Sequence, residues 1–294
     1  MVFVGGLCYG GMLPLARGAL DHGFIPGSAV VIHNLFASVI LVPVVLIFFR
    51  CKISGKEFLA LLGLGVIAYT MSASFYYALL YISASATITL MFQYIWMGII
   101  IQAIAKRRLP RMTIILSGIV VIMGTFLTTG VFEEDLTLNL LGVFFGLLSA
   151  LGYALFLFLS GRVATRLPAV SRTAFLSVVR LVIAIVLAPG ALGQLPALPI
   201  VVLFGVPMAL LGIIIPLVLI QHAAPHLPNS VTTIMSASEL PGGVILAVIF
   251  VGEHIGLLQW LGIVLVLGGI FLSQAPEIGE LLRRLRSQKA EKAP

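Results

Sequence analysis

One carboxylate interrupts a long apolar run of this sequence, in the stretch Thr232-Thr-Ile-Met-Ser-Ala-Ser-Glu-Leu-Pro-Gly-Gly-Val-Ile-Leu246. A charge at bilayer depth costs about 2.5–3.5 kcal/mol on insertion scales, so Glu239 inside a run of spanning length indicates function. Pro241, Gly242 and Gly243 follow at once and weaken a helix. A membrane span tolerates that where neighbouring protein or a wet cavity satisfies the freed backbone groups. The stretch therefore predicts a membrane protein with a polar site within the bilayer.

The composition excludes a soluble protein. Of the 294 residues, 61% are hydrophobic and 9% are charged, whereas a soluble domain has about 25% charged residues. The net charge of +7 is concentrated in short clusters beside apolar runs, which is typical of membrane topology rather than of nucleic-acid binding. Cys8 and Cys51 are far apart and have no metal-binding spacing, so we expect free thiols.

Ten apolar runs approach the length of about 20 residues that a helical span needs. They cover approximately residues 3–20, 28–49, 57–80, 84–105, 113–129, 139–160, 172–192, 198–221, 227–250 and 256–273. We therefore predict an all-α membrane protein with ten transmembrane helices.

The basic residues predict the orientation of these spans. With ten spans, the Lys and Arg clusters at 50–56, 106–111, 162–172 and 283–292 all fall on one side of the membrane, and the acidic cluster at 133–135 falls on the other. Because basic loops stay in the cytoplasm, we expect both termini there and a multi-pass protein of the bacterial inner (cytoplasmic) membrane.

An internal repeat appears when the sequence is shifted by 144 residues. Tyr9 then aligns with Tyr153, and similar matches occur in two further pairs of runs, the fourth with the ninth and the fifth with the tenth. We predict a first five-helix unit at 1–130, a second at 139–274, and a basic cytoplasmic tail at 275–294. Because five is odd, the second unit is inverted, which is typical of secondary transporters with a site between the halves.

Four stretches resemble the drug/metabolite transporter superfamily, specifically its ten-span EamA-type exporters. They are Tyr77-Ala-Leu-Leu-Tyr-Ile-Ser-Ala-Ser-Ala-Thr-Ile-Thr-Leu-Met-Phe-Gln-Tyr, its counterpart from Gln221 through Gly243, Ser117-Gly-Ile-Val-Val-Ile-Met-Gly and Leu261-Gly-Ile-Val-Leu-Val-Leu-Gly-Gly. The resemblance implies a transporter of amino acids, metabolites or drugs, and it leaves the substrate open. The family often has a Glu at the ends of spans four and nine; Glu253 matches the second position, but Lys106-Arg-Arg replaces the first.

Two charged residues within runs are the main site candidates. Glu239 can bind a proton on one side of the membrane and release it on the other, pair with a substrate amine, or simply line a wet vestibule. Arg180 lies about eight residues into the seventh run. It can pair with Glu239, hold a substrate carboxylate, or extend its charge to the interface as a snorkelling side chain.

Neutral polar and aromatic residues within the runs form a second group of candidates. His33 and Asn34 suit proton relay or interhelical hydrogen bonding equally well. An aromatic cavity with a few polar groups would suit amphipathic solutes, although aromatic residues in spans more often pack or anchor. The residues that would line it are Tyr9, Tyr69, Gln93, Tyr94, Trp96 and Tyr153.

No cofactor or metal is expected. His222 and His226 are four residues apart but lie at a Pro-containing turn without a neighbouring carboxylate. The sequence contains no nucleotide-binding loop, no paired-cysteine motif and no soluble domain for ATP.

We therefore predict a non-enzymatic secondary transporter that exports small amphipathic metabolites, such as amino acids or their analogues, by alternating access and with protons as the coupling ion. Its partners are the lipid bilayer and a small-molecule substrate, with no nucleic acid, and both a monomer and a homodimer are compatible with the sequence. The alternatives are an importer or exchanger of organic anions or nucleotide-linked metabolites and, from another class, a membrane-embedded enzyme or lipid-handling protein.

Overall fold

The computed structural model describes residues 1–49, 51–82, 84–128, 139–244 and 256–273, with the side chains of Leu13, Ala84 and Ser85 left aside. All regular secondary structure in these ranges is helical, which confirms the all-α prediction for this part of the chain. The acidic cluster at 133–135, Glu253 and the basic tail lie outside the described residues.

Six helical segments of the described chain are long and apolar. Each of these segments is long and apolar enough to cross a membrane, so the chain is a multi-pass membrane protein. The segments are Pro26–Phe48, Gly55–Tyr81, Ala86–Lys106, Leu140–Ser160, Ala169–Leu187 and Leu198–His226. Met112–Thr128 and Leu257–Ser273 are shorter apolar helices. The count of ten spans stays a prediction.

We number the helices in chain order. They are α1 (Val2–Gly10), α2 (Met12–Asp21), α3 (Pro26–Phe48), α4 (Gly55–Tyr81), α5 (Ala84–Met91), α6 (Tyr94–Lys106), α7 (Met112–Thr128), α8 (Leu140–Ser160), α9 (Ala169–Leu187), α10 (Leu198–Ala209), α11 (Ile215–Ala223), α12 (Asn229–Ser236), α13 (residues 239–244) and α14 (Leu257–Ser273).

Local sequence explains several helix starts. Ser54 and Glu57 form a capping box at α4: the Glu57 amide donates to Ser54 Oγ at 3.3 Å, and the Ser54 amide donates to Glu57 Oε2 at 2.9 Å. Asn139 Oδ1 accepts the Leu141 amide at 2.9 Å and caps α8. Pro26 occupies the first position of α3, where its missing amide proton costs nothing.

A short break separates α5 from α6, and another separates α12 from α13. The two breaks are at equivalent positions of the proposed repeat. α5 ends at Met91 and α6 begins at Tyr94, with the Gln93 amide bonded to Leu90 O. α12 ends at Ser236, and the Ala237 amide is bonded to Ile234 O. These two i→i−3 hydrogen bonds lie 144 residues apart. Both breaks are turns inside apolar runs, so they interrupt the helices at membrane depth.

The helices pack through small residues. α4 lies against α8 and α9, while α3 lies against α9. A Cβ placed on Gly65 of α4 would meet Val179 of α9 at 2.5 Å, and one on Gly124 of α7 would meet the Gly262 carbonyl of α14 at 2.8 Å. The outward faces carry exposed aliphatic side chains, as a lipid-facing surface requires.

Basic residues of several loops meet at one end of the bundle, which we call the basic end. Arg166 forms an ion pair with Glu57, with Nη2 and Oε2 2.8 Å apart, and donates to the Lys52 carbonyl at 3.1 Å. Lys106 and Arg162 line a common cavity. The loops that the charge pattern assigns to one side of the membrane are therefore neighbours in the fold.

Candidate functional site

Glu239 is the first residue of α13, directly after the break that ends α12. Its side chain is 8% exposed, and Oε2 has no hydrogen-bond partner among the described residues. Burial of a carboxylate oxygen without a partner is costly, which indicates a functional role for Glu239.

Helix α1 packs closely against the backbone around Glu239 through glycine contacts. A Cβ on Gly10 would overlap the carbonyl oxygen of Glu239 and the amide of Gly243, and a Cβ on Gly242 would overlap the Leu7 backbone. Only glycine permits this backbone approach. Ser238 Oγ adds a 2.7 Å hydrogen bond to the Phe3 carbonyl. The Pro-Gly-Gly sequence after Glu239 is thus explained by packing as well as by helix weakening.

Three tyrosines surround Glu239 from three different helices. The ring centroids of Tyr9 and Tyr153 are 5.8 Å apart, and those of Tyr94 and Tyr153 are 4.6 Å apart. All three hydroxyls lie within electrostatic range of the Glu239 carboxylate. The Tyr94 hydroxyl is buried and has no hydrogen-bond partner in the described chain. Two of these tyrosines, Tyr9 and Tyr153, are the pair that the repeat aligns.

Arg180 lies at the other end of this tyrosine cluster. It is 1% exposed and donates from Nη2 to Ser72 Oγ of α4, while its Nε has no partner within the described ranges. Its charge reaches the hydroxyls of Tyr9 and Tyr76. The guanidinium is therefore directed into the bundle, toward α4 and α1.

The carboxylate and the guanidinium do not pair directly. The ion pairs in the described chain are Arg17–Asp21 and Arg166–Glu57. Tyr9 lies within electrostatic range of both Glu239 and Arg180. Glu239, Tyr9 and Arg180 thus form a buried row of opposite charges separated by a tyrosine hydroxyl, which we call the row. Such a row can bind an amine at one end and a carboxylate at the other, or carry a proton at the carboxylate.

The other predicted site residues occupy three places. His33 and Asn34 are buried: Asn34 Nδ2 donates to Val30 O at 2.7 Å, and neither His33 ring nitrogen has a described partner. His33 lies in the field of Arg180, beside the buried row. Trp96 is 40% exposed and donates to Gln93 Oε1 at 2.8 Å, so this pair is not brought into the Glu239 cluster.

Two cavities lie at opposite ends of the bundle. The outer cavity, of about 260 Å³, lies between α3, α4, α8 and α9, away from the basic end, and Tyr69, Ser74 and Tyr77 line it. The inner cavity, of about 190 Å³, lies between α6, α8 and α12 at the basic end, and Lys106 and Arg162 line it. Tyr69 thus lines the outer cavity and not the row itself.

Sequence reasoning missed several polar residues that the fold buries. Arg172 was assigned to a basic loop, but α9 begins at Ala169, and Arg172 is 2% exposed. Its Nη1 donates to Ser160 O at 2.8 Å, and its Nη2 donates to Gln221 O. Gln221 Nε2 in turn donates to Thr173 Oγ1 at 2.8 Å. Arg172 lies where the basic cluster meets the seventh apolar run, so the charge pattern alone did not predict its burial.

Within the described residues, no group of three His, Cys, Asp or Glu side chains could hold a metal ion. His222 and His226 approach each other with ring centroids 6.4 Å apart.

Comparison with known proteins identifies one family. Residues 140–274 match the EamA-like transporter family, which confirms the family resemblance in the sequence. No curated protein sequence matches the chain. A solved protein crystal structure is similar with a TM-score of 0.75 and 14% sequence identity, covering 97% of both chains. At that identity the likeness shows a shared fold.

Proposed function

Because residues 140–274 carry an EamA-like transporter family domain, we propose that this multi-pass membrane protein is a proton-coupled secondary transporter. It exports small amphipathic metabolites, such as amino acids or their analogues, by alternating access, and it is not an enzyme. The observation that carries the proposal is the buried row from Glu239 through Tyr9 to Arg180, next to a break in a membrane-embedded helix.

The packing of the helices supports two equivalent halves. Under the 144-residue offset, α8 corresponds to α1, α9 to α3, and α10 with α11 to α4. The α4–α8 contact then corresponds to α11–α1, the α4–α9 contact to α10–α3, and the α5–α8 contact to α12–α1. α3 also packs on its own equivalent, α9. Repeated contacts of this kind support a five-helix repeat at 1–130 and 139–274, inverted in the membrane.

The basic end supports the proposed orientation. Arg166, Glu57 and Lys52 bring two predicted cytoplasmic loops into contact. A bacterial inner-membrane protein with this end in the cytoplasm satisfies the positive-inside rule. The outer cavity then opens away from the cytoplasm.

The charges of the row favour a zwitterionic substrate. Glu239 suits an amine, Arg180 suits a carboxylate, and the tyrosine rings provide apolar walls with hydroxyl groups. Release of a proton from Glu239 to one side and its uptake from the other would couple export to the proton gradient.

Flux in liposomes tests the proposal. Wild-type protein should move a set of amino acids faster with an imposed pH gradient than without one. Glu239→Gln should lose the pH-driven component, because an amide cannot exchange a proton. Glu57→Gln is the matched control: it changes a carboxylate at the basic end, and we expect pH-driven flux to persist. Equal pH-driven flux in wild type and Glu239→Gln would reject the coupling role.

An importer or exchanger of organic anions is the second candidate. It is favoured by the buried Arg180 and by Lys106 and Arg162 in the inner cavity. Counterflow separates the two functions: faster exchange of anionic than of zwitterionic substrates would favour this candidate.

A further inference from the structure

Two regions that the 144-residue offset makes equivalent differ in this structure. At the outer end, the cavity of about 260 Å³ lies between α3 and α4, and Tyr77 lines it with 39% of its surface exposed. Tyr77 corresponds to Gln221, which is completely buried between α9 and α11 at the basic end. One region is open and its equivalent is closed.

Hydrogen bonds hold the closed region together. Gln221 Nε2 donates to Thr173 Oγ1 at 2.8 Å, and Arg172 donates to the Gln221 carbonyl. Arg172 also donates to the carbonyls of Ser160 at 2.8 Å and Val163 at 3.2 Å. The guanidinium thus satisfies carbonyl groups at the ends of α8 and α11, where helix C-termini leave acceptors free. We call Arg172, Thr173 and Gln221 the clasp.

The equivalent residues at the outer end cannot form these bonds. Arg172 and Thr173 correspond to Ser28 and Ala29, and Ser28 exchanges hydrogen bonds with the Ile25 backbone instead. Tyr77 stacks on Phe145, with ring centroids 5.5 Å apart. The inner cavity is lined by α6, α8, α12 and the turn at Ala224 and Pro225 after α11, and no residue of α9 lines it, so this cavity does not separate α9 from α11.

We propose that the clasp is the cytoplasmic gate of the transporter, closed in this conformation while the outer cavity is open. In an inverted repeat, each half can adopt the arrangement of the other, which exchanges the open side. The clasp therefore opens as α3 and α4 close over the outer cavity. This inference rests on the proposed transport function and adds the residues that regulate access to the row.

Thiol labelling of paired positions tests the gate. Ser74 lines the outer cavity, and its equivalent Val218 lies in α11, three residues before Gln221 of the clasp. Each is changed to Cys in a full-length protein that carries Cys8→Ser and Cys51→Ser. The rate of reaction with a polar maleimide then reports how often each side is open.

Thr173→Val removes one neutral hydrogen bond of the clasp. We expect labelling of Val218→Cys to rise about fivefold, because a hydrogen bond of ordinary strength biases an equilibrium by about that factor. Labelling of Ser74→Cys should fall, since the outer cavity closes when the clasp opens. Thr173→Ser, which keeps the hydroxyl, should restore both rates, and Glu57→Gln at the same end should change neither.

The outcomes separate the gate from a static contact. If Val218→Cys labelling rises while Ser74→Cys labelling stays constant or also rises, the clasp only stabilises packing and the proposal is wrong. The proposal is equally wrong if Thr173→Val changes neither rate. If both labelling rates change as expected but the protein moves no substrate, the proposed transport function is wrong. The coupled opening and closing of the two ends would still be supported.

Discussion

At the residue scale, burial distinguishes Arg180 from an interfacial arginine. A snorkelling side chain keeps its charge in water or among headgroups, whereas the Arg180 side chain is 1% exposed and donates to Ser72 of α4. A charge kept at that depth needs a compensating partner, and Nε has none within the described residues. We therefore propose that the free part of the guanidinium binds a substrate carboxylate.

Arg180→Met should weaken binding of zwitterionic substrates by about tenfold or more, since a hydrogen bond to a charged group contributes roughly 1.5–3 kcal/mol. The corresponding amine without a carboxylate should lose far less affinity. Arg180→Lys, which keeps the charge without the planar fork, should lie between these variants. Binding can be measured by calorimetry on purified protein. Equal losses for the amine and the zwitterion would contradict the assignment.

Part of this site could be predicted from single residues. Glu239 and Arg180 are conspicuous because a charge inside an apolar run is costly wherever the helix lies. Tyr76 and Ser72 carry no such signal: they become neighbours of Arg180 only when α4 packs on α9. Trp96 was predicted to line a cavity, but its side chain is exposed. An aromatic residue in a span suits the outer surface as well as a cavity, so the sequence could not distinguish the two.

At the element scale, the glycine contacts of α1 fix the backbone around Glu239. A Cβ on Gly10 or Gly242 would overlap backbone atoms of the facing segment, and backbone cannot move aside as a side chain can. Overpacking of this kind costs about 1–3 kcal/mol. These glycines are needed for close approach, and the sequence alone did not show which helix would approach.

Gly10→Ala should therefore lower the thermal midpoint of the detergent-purified protein by several degrees and reduce flux. Gly63→Ala is the matched control, because a Cβ there meets nothing within 4 Å and alanine is the better helix former. A midpoint for Gly10→Ala equal to that of wild type would show that α1 does not pack this closely.

The sequence predicted one of the two helix breaks. Pro241, Gly242 and Gly243 predicted a weakened helix near Glu239, and α12 does end just before it. The break between α5 and α6 has no proline or glycine at Phe92 or Gln93. Neither residue weakens a helix as proline or glycine does, so no local rule could have found this break.

At the scale of the whole molecule, the two proposed halves differ at the charged positions of the row. Glu239 corresponds to Ile95, and Arg180 corresponds to Phe36. In the proposed repeat, the helix contacts recur in both halves, while the charges of the row lie in the second half alone. The composition was enough to predict a multi-pass protein, whereas the repeat at an offset of 144 residues stays a prediction.

The movement of protons with substrate tests the central claim most directly. Liposomes that contain a pH-sensitive dye and purified protein are given an amino-acid gradient and no initial pH gradient. We predict that wild-type protein produces a pH change that follows the substrate gradient and that Glu239→Gln produces none, while Glu57→Gln behaves as wild type. A pH change in Glu239→Gln equal to that of wild type would contradict the account.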